Sequence, residues 1–283
     1  MISYKAKKTE FEIIRSADTC NTPFPFIRYG EGIDTIYCIS PLHGRSFIVG
    51  RNKDGHFIIS KGNGLSYSMH TFIYTQESQP QTWGLLLEKD AIRDFDIGRE
   101  VEALGIKTNK MEYVIKLNQD FIYPTNGSLV NPVLLQYSVE CPYRICDFAF
   151  IAAEQIQYEV QKWAVYNEYG YTKKHMVAAD VLIRNLRIMH DNNILHNAIH
   201  IQNYTWALEL LDFELGRTNN HPHDQTGYEQ YLTEFFNREL IDTYEVINYI
   251  AWCFKEIVEF KEIDNLFAKY DFNLDKFKLY SSE

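Results

Sequence analysis

Two side chains with metal-binding chemistry lie close together in the second half of the chain. Asn203 ends a polar segment, residues 196–203, and Asp212 follows nine residues later at the end of an apolar run. This spacing places the amide at the end of a loop and the carboxylate at the end of a predicted strand, so both oxygens can reach one cation. Mg²⁺ prefers such oxygen ligands and leaves its other positions to water and phosphate oxygens. The pair therefore predicts a Mg²⁺ site that would also take a phosphorylated ligand.

The same segment resembles the catalytic loop of protein kinases. Kinases hold their metals with the Asn of an H-R-D-x-x-x-x-N motif and the Asp of a D-F-G motif. Here His196 and Asn203 keep the kinase spacing, and the triplet Asp-Phe-Glu begins at Asp212. Ala198 stands where the catalytic aspartate would be, and alanine cannot orient or deprotonate a hydroxyl that attacks a γ-phosphate. The sequence therefore predicts either a different use of the nucleotide or a catalytically silent scaffold.

The elements that must position the first half of such a site are short β-rich runs between about residues 33 and 116. Strands are predicted at residues 36–39, 46–49, 56–59, 84–87, 113–115 and 133–135, several of them separated by turn residues. One helix is predicted from about residue 89 to 104, because Ile92, Phe95 and Val101 can share an apolar face before Gly105 ends it. We expect a strongly twisted, mostly antiparallel sheet with one helix.

After about residue 148 the pattern becomes helical. Two segments carry apolar residues at helical spacings of three and four, namely Ala178, Leu182, Leu186 and Met189, and Val246, Ile250, Cys253 and Ile257. Between them lies a polar stretch with one more predicted strand, residues 206–211. This layout predicts an α+β, two-lobe protein-kinase-like fold with a β-rich N-lobe, residues 1–137, and a mainly helical C-lobe, residues 138–283. The active site of such a fold lies in the cleft between the lobes.

Five short blocks in a common order make the chain similar to the selenoprotein O family, kinase-fold enzymes that transfer AMP from ATP to protein hydroxyls. The family pattern includes G-D-G-R-A, K-G-x-G, I-R-E-F-L with L-G-I-P-T-T-R, and D-Y-G. The matching blocks here are residues 43–46, 61–68, 92–95 with 104–108, 141–146 and 196–214. The number of residues from Arg93 to Leu104 and the number from Asn203 to Asp212 both agree with the family pattern. The resemblance covers about residues 43–216.

The resemblance implies a central ion pair. Lys61 would contact the ATP phosphates and pair with Asp94 on the predicted helix, one methylene shorter than the family's Glu. Glu100 on the same helix is the rival partner for this lysine.

The resemblance also implies which residues hold the nucleotide and the metal. Arg45 and Arg144 would grip the phosphates of an ATP bound in the reversed orientation that the family uses, which leaves the α-phosphate open to attack. Asn203 and Asp212 would bind Mg²⁺. The full set of nucleotide-binding candidates is Gly44, Arg45, Lys61, Gly62 and Arg144. Guanidinium groups and a metal are what a triphosphate with several negative charges requires.

The general base is where this chain departs from the family. The family has an aspartate just before its metal-binding asparagine, whereas this chain has Gln202, which has no useful basicity. Substitutes within reach are Glu214, His200 and His196, and spacing alone does not rank them. Alternatively, His196 has the structural role of the kinase-loop histidine, which forms a hydrogen bond to the backbone.

Composition limits the partners. The chain has 283 residues, 46% of them hydrophobic, which is enough for a sizeable core. Its formal charge of −10 disfavours nucleic acid or an anionic membrane as the main partner. No apolar run of about 18 residues and no secretory leader are visible. The five scattered cysteines predict free thiols in the cytoplasm.

The sequence thus predicts an adenylyltransferase that uses ATP and Mg²⁺ to transfer AMP to a protein substrate with an acceptor hydroxyl. Its catalytic candidates are Lys61, Asp94, Asp212 and Glu214. The alternatives are a kinase that phosphorylates a peptide or small molecule, and a pseudokinase that serves as an interaction module.

Overall fold

The computed structural model describes residues 2–19, 21–28, 32, 34–38, 45–64, 84–122, 129–223 and 225–274. The chain forms a mixed α+β fold in which an eight-stranded antiparallel sheet is followed by helices. This confirms the predicted fold class at the level of secondary structure. None of the helices in these ranges is both long enough and apolar enough to cross a lipid bilayer.

The described residues contain ten strands, eight of which form the large sheet. In chain order they are β1 (Ile2–Lys8), β2 (Phe11–Ser16), β3 (Phe26–Arg28), β4 (Asp34–Cys38), β5 (Ser46–Arg51), β6 (Phe57–Lys61), β7 (Lys110–Leu117), β8 (Phe121–Ile122), β9 (Leu129–Val130) and β10 (Val133–Val139). The sheet order is β2-β7-β10-β6-β5-β4-β1-β3, and β8 pairs with β9. These pairings are antiparallel. The central strand β10 is buried along its whole length, as a strand covered on both faces must be.

The sheet begins earlier than the sequence predicts. Strands β1, β2 and β3 precede residue 33 and extend the sheet at both ends. Strand β1 pairs with β4 and with β3, and β2 pairs with β7. In β1, small or apolar side chains alternate with Ser3, Lys5 and Lys7, which is the period-two pattern of a half-buried strand. The other strands are recognised in the sequence by unbroken apolar runs, and the lysines of β1 interrupt such a run.

Two predicted strands are wrong. Leu85 and Leu86 make only isolated bridges, to Asn63 and Val133, before the next helix begins at Glu88. Residues 206–211 form a tight turn in which Leu208 has a φ of 59°, while Tyr204 bridges to Leu210. Both segments are apolar because they are buried, and burial alone does not distinguish a strand from a buried loop.

Five α-helices lie in the described part of the chain: α1 (Glu88–Ala103), α2 (Ala153–Gln161), α3 (Lys174–Asp191), α4 (Leu232–Cys253) and α5 (Phe260–Lys269). Helix α1 confirms the predicted helix and packs on β7 and β10, burying Ala91, Phe95 and Val101. Helices α3 and α4 pack against each other and confirm the two apolar stripes. Ile257 is an exception, since it lies beyond α4 and is 79% exposed.

A buried carboxylate joins the sheet to the segment that carries the candidate metal residues. Glu209 accepts hydrogen bonds from the backbone N–H groups of Glu140 (2.7 Å) and Cys141 (3.2 Å), which directly follow β10. It also accepts one from the Thr205 hydroxyl at 2.8 Å. Glu209 therefore fixes the chain after β10 against the turn that contains Thr205.

Cys141, Cys146 and Cys253 are buried, and none of these three cysteines forms a disulfide.

Glu209 should make stability depend on pH. Burial raises the pKa of Glu209 to about 7, whereas its ordinary value is 4.5. Between these values the folded protein holds a proton that the unfolded chain has lost, so stability falls as the pH rises. Relative to Glu209→Gln, the free energy of unfolding of the natural protein should fall by up to about 1.4 kcal/mol per pH unit between about pH 5 and 7.

Urea denaturation at several pH values measures this difference. The exposed Glu168 provides the matched control, because Glu168→Gln should leave the pH profile unchanged. If the free energy of unfolding changed with pH in the same way for the natural protein and for Glu209→Gln, the raised pKa of Glu209 would be contradicted.

Candidate functional site

The centre of the site is the ammonium group of Lys61, which ends β6. Its side chain is 2% exposed because β6 lies between β5 and β10 inside the sheet. Lys61 Nζ lies 2.7 Å from Asp94 Oδ2, 2.8 Å from Asp212 Oδ1 and 2.6 Å from Glu214 Oε1. One buried cation therefore gathers three carboxylates. Asp94, rather than Glu100, is the helix carboxylate that contacts it.

Asp94 connects the lysine to the Asp-Phe-Glu triplet. It lies on the buried face of α1, with the side chain 1% exposed. One carboxylate oxygen binds Lys61, and the other, Oδ1, accepts a hydrogen bond from the backbone N–H of Phe213 at 2.8 Å. Asp212 itself has a φ of 72°, a left-handed conformation that is strained for an L-residue. The contacts of Asp94 and Lys61 hold this backbone in place.

The two aspartates have opposite pKa shifts. Burial, together with the negative charges of Asp212 and Glu214, raises the pKa of Asp94 to about 6 in spite of Lys61. Burial acts in the same direction on Asp212, but the charges of Lys61, Arg45 and Arg144 outweigh it and hold the pKa of that carboxyl well below its usual range. Asp212 is therefore ionised at any physiological pH, as a metal ligand must be.

Arg45 approaches the same acids from the start of β5. Its Nη2 lies 2.6 Å from Glu214 Oε1 and 3.7 Å from Asp212 Oδ2. The backbone N–H of Gly62 donates to the carbonyl of Arg45 at 2.8 Å. Gly62 has a φ of 95°, and a Cβ there would lie 2.6 Å from the carbonyl oxygen of Val133, so only glycine fits. Gly44, the other predicted nucleotide-binding glycine, lies outside the described residues.

Arg144 and Asn203 lie next to each other, and the charge of Arg144 acts on Asp212. Arg144 is buried, and its Nη1 donates to the carbonyl of Gln202 at 2.7 Å and lies 3.5 Å from Asn203 Oδ1. The Asn203 amide nitrogen donates to the carbonyl of Ala198 at 2.9 Å. The predicted ligand Asn203 is thus held inside its own loop, with its oxygen facing a guanidinium.

The loop histidine has a structural contact. His196 Nε2 donates to the carbonyl of Leu211 at 2.9 Å, and its ring packs 4.9 Å from that of Phe213. Burial lowers the pKa of His196, so the ring is neutral. This confirms the structural role for His196, whose ring is bonded to the backbone. A ring buried in this way does not reach a substrate hydroxyl as a general base would. His200, by contrast, is exposed.

The converging set keeps Asp212 from the pair selected in the sequence but has Asp94 and Glu214 in place of Asn203. One oxygen from each of Asp94, Asp212 and Glu214 lies within 4.8 Å of the others. This set of hard oxygen donors suits Mg²⁺, although Lys61 Nζ occupies the space between them here. Sequence reasoning placed Asp94 and Glu214 in other roles. The alternation of acids at 212 and 214 was the signal that both side chains could face one point.

A narrow crevice adjoins these groups and joins the two halves of the chain. Its walls include Ser46, Ile59 and Val139 from the sheet and Arg144 and Leu211 from the segment after it. The cavity measures only about 10 Å³, roughly the volume that holds one water molecule.

Comparisons with known proteins identify no family. No protein-family model matches the chain, and no curated protein matches it. Among solved structures, the chain is similar to a Stt7 homolog from Micromonas algae, in crystals soaked with ATP, with 11% sequence identity and a TM-score of 0.39. That superposition covers 90% of this chain and 85% of the other. The assignment of the site therefore depends on the contacts within this chain.

Replacement of Lys61 tests the centre of the site. Lys61→Met leaves three carboxylates facing one another, with Arg45 still in contact with Glu214. We expect a loss of about 3–5 kcal/mol in the free energy of unfolding near pH 7.5, since buried charges lose their partner. The loss should be smaller at pH 5, because the pKa of Asp94 is already raised to about 6 and rises further without the lysine.

Urea denaturation at the two pH values measures both losses. Lys110→Met, at an exposed position at the start of β7, is the control and should be nearly neutral at either pH. An equal loss at pH 5 and pH 7.5 would show that Lys61 is not needed to neutralise these acids.

Proposed function

We propose that this chain binds ATP with Mg²⁺ beside Lys61 and transfers the AMP moiety to a hydroxyl group of a protein or peptide substrate. The observation that carries the proposal is the contact of one buried lysine with a helix carboxylate and with the first acid of the Asp-Phe-Glu triplet. Kinase-type enzymes use the same combination, a strand lysine paired with a helix acid next to a metal-binding aspartate. Membership of the selenoprotein O family, as a short and divergent relative, is part of the proposal.

The proposed architecture is the two-lobe protein-kinase-like fold. Its support is the order of elements, in which a strand ends at Lys61, helix α1 carries its partner, and strands β7 and β10 lead into the helices. The division at about residue 138 corresponds to the end of β10 at Val139.

The charges of the site fit a triphosphate. Lys61, Arg45 and Arg144 are three cations whose charges act on Asp212. Asp212 and Asn203 would hold Mg²⁺, which neutralises phosphate charge when bound. Electrostatic positioning of this kind supplies most of the rate in phosphoryl transfer.

The reaction proposed is an in-line displacement at the α-phosphorus. The acceptor oxygen forms a bond to the α-phosphorus while the bond to the α,β-bridging oxygen breaks, and pyrophosphate leaves with that electron pair. The hydroxyl proton passes to solvent or to a base. Because positions 198 and 202 are Ala and Gln, neither can act as the base that kinases or the selenoprotein O family place there. These substitutions favour transfer driven by electrostatic positioning and leave a silent scaffold as the alternative.

The proposed setting is the cytoplasm, with a protein substrate and neither nucleic acid nor membrane as partner. Cys141, Cys146 and Cys253 are buried and form no disulfide, which fits a reducing compartment. The net charge of −10 disfavours polyanionic partners.

Nucleotide binding is the first property to test. At ATP and Mg²⁺ concentrations 100-fold above the Kd, binding should stabilise the protein by about 2.7 kcal/mol, which a thermal melting scan detects. Asp212→Asn should abolish the shift, whereas Asp54→Asn, in an exposed turn, should keep it. A natural protein whose Tm is insensitive to ATP with Mg²⁺ would disprove the proposal.

Labelled ATP then distinguishes the reactions. With a candidate substrate or with the chain itself as acceptor, we expect label from the α-phosphate, and none from the γ-phosphate, to become attached to protein. Lys61→Met and Asp212→Asn should lose this label, and Asp54→Asn should retain it. Incorporation of γ-label would instead identify a kinase, and nucleotide binding without either label would identify a pseudokinase.

A further inference from the structure

The third acid of the site, Glu214, occupies an unusual position for a residue next to a nucleotide. Its Oε1 lies 2.6 Å from Lys61 Nζ and 2.6 Å from Arg45 Nη2. One carboxylate oxygen is thus shared by two of the cations that the proposed function assigns to phosphate. If the same two cations bound a phosphate group, one of its non-bridging oxygens would lie where Oε1 of Glu214 lies, at similar distances.

This contact changes the charge that an incoming ligand meets. With Glu214 in place, Lys61 and Arg45 face three acids, and one of them, Asp94, is also held by the backbone N–H of Phe213. A polyphosphate that entered this arrangement would add negative charge to a cluster whose cations are already neutralised. Phosphate can therefore bind Lys61 and Arg45 only when Glu214 has moved away.

The backbone allows Glu214 to leave without disturbing its neighbours. Asp94 holds the N–H of Phe213, which fixes the chain just before Glu214. The N–H of Gly216 donates to the carbonyl of Phe213 at 2.9 Å, closing a turn in which Leu215 is exposed. The Glu214 side chain lies at the edge of the site, 13% exposed, whereas that of Asp94 is 1% exposed. Rotation of the Glu214 side chain toward solvent opens the phosphate position.

We propose that Glu214 is a resident carboxylate that occupies the phosphate position and sets the affinity of the site for polyphosphate ligands. This inference rests on the proposed function, because it assumes that Lys61 and Arg45 bind phosphate. It gives Glu214 a role different from that of a general base. A ligand binds with an apparent Kd equal to its intrinsic Kd divided by the fraction of molecules in which Glu214 is displaced.

Removal of the charge at position 214 should therefore tighten binding. We expect Glu214→Gln to lower the Kd for ATP with Mg²⁺ by about tenfold or more, since charge-assisted hydrogen bonds to two cations are lost from the unliganded state. Inorganic tripolyphosphate should gain by a similar factor, because displacement of Glu214 is common to both ligands. Glu214→Asp, whose shorter side chain reaches one cation less well, should lie between.

Isothermal titration calorimetry of the full chain with the two ligands measures these constants, with Glu168→Gln as the exposed control. Tighter binding by Glu214→Gln than by the natural protein supports the inference, and Glu214→Asp provides the same comparison if the glutamine variant does not fold. Equal or weaker binding by the variants, with ATP still bound by the natural protein, overturns this inference and leaves the proposed function standing. Absence of binding in every variant and in the natural protein overturns both.

Discussion

The ammonium group of Lys61 is the interaction on which the candidate site depends. It lies inside the sheet, almost without exposure to solvent, in contact with acids from α1 and from the segment after residue 211. Burial of a lone ammonium or a lone carboxylate is very costly, and only mutual contact makes the arrangement stable. The sheet, α1 and the loop before α4 are therefore tied to one another by charge as well as by apolar packing. A site of this kind cannot be assembled from one half of the chain.

Hydrogen bonds from nearby side chains to the backbone fix the geometry of that ion cluster. Asp94 holds the backbone of Phe213, His196 holds the carbonyl of Leu211, and Glu209 holds the chain that follows β10. Between these contacts the backbone adopts left-handed conformations at Leu208 and Asp212. Such strain persists only where the surroundings over-determine it, and it is common at functional sites. The strained segment and the three anchors together direct the Asp212 carboxylate at Lys61.

Local patterns were a good guide where they were long and regular. The apolar face of α1 and the stripes of α3 and α4 predicted helices that the structure contains, because an apolar period of 3.6 residues sustained over several turns fits a helix and not a strand. Short apolar runs were a poorer guide. Residues 84–87 and 206–211 are buried like strands but bond like loops, and β1 was missed because lysines alternate with its inward residues. The roles of the site residues in binding ATP and Mg²⁺ stay predictions.

The sequence by itself determined which chemical groups are available and the order in which they occur: a lysine after a strand, an acid on the following helix, and an amide and an acid nine residues apart. Only the tertiary structure decided which of these groups meet. Lys61 and Asp212 are separated by 151 residues, and Arg45 and Glu214 by 169. Contacts at such separations depend on how the sheet and helices pack. A carboxylate two residues beyond Asp212 therefore looked like a spare base in the sequence, and packing placed it on Lys61 and Arg45, the two cations that the proposed function assigns to phosphate.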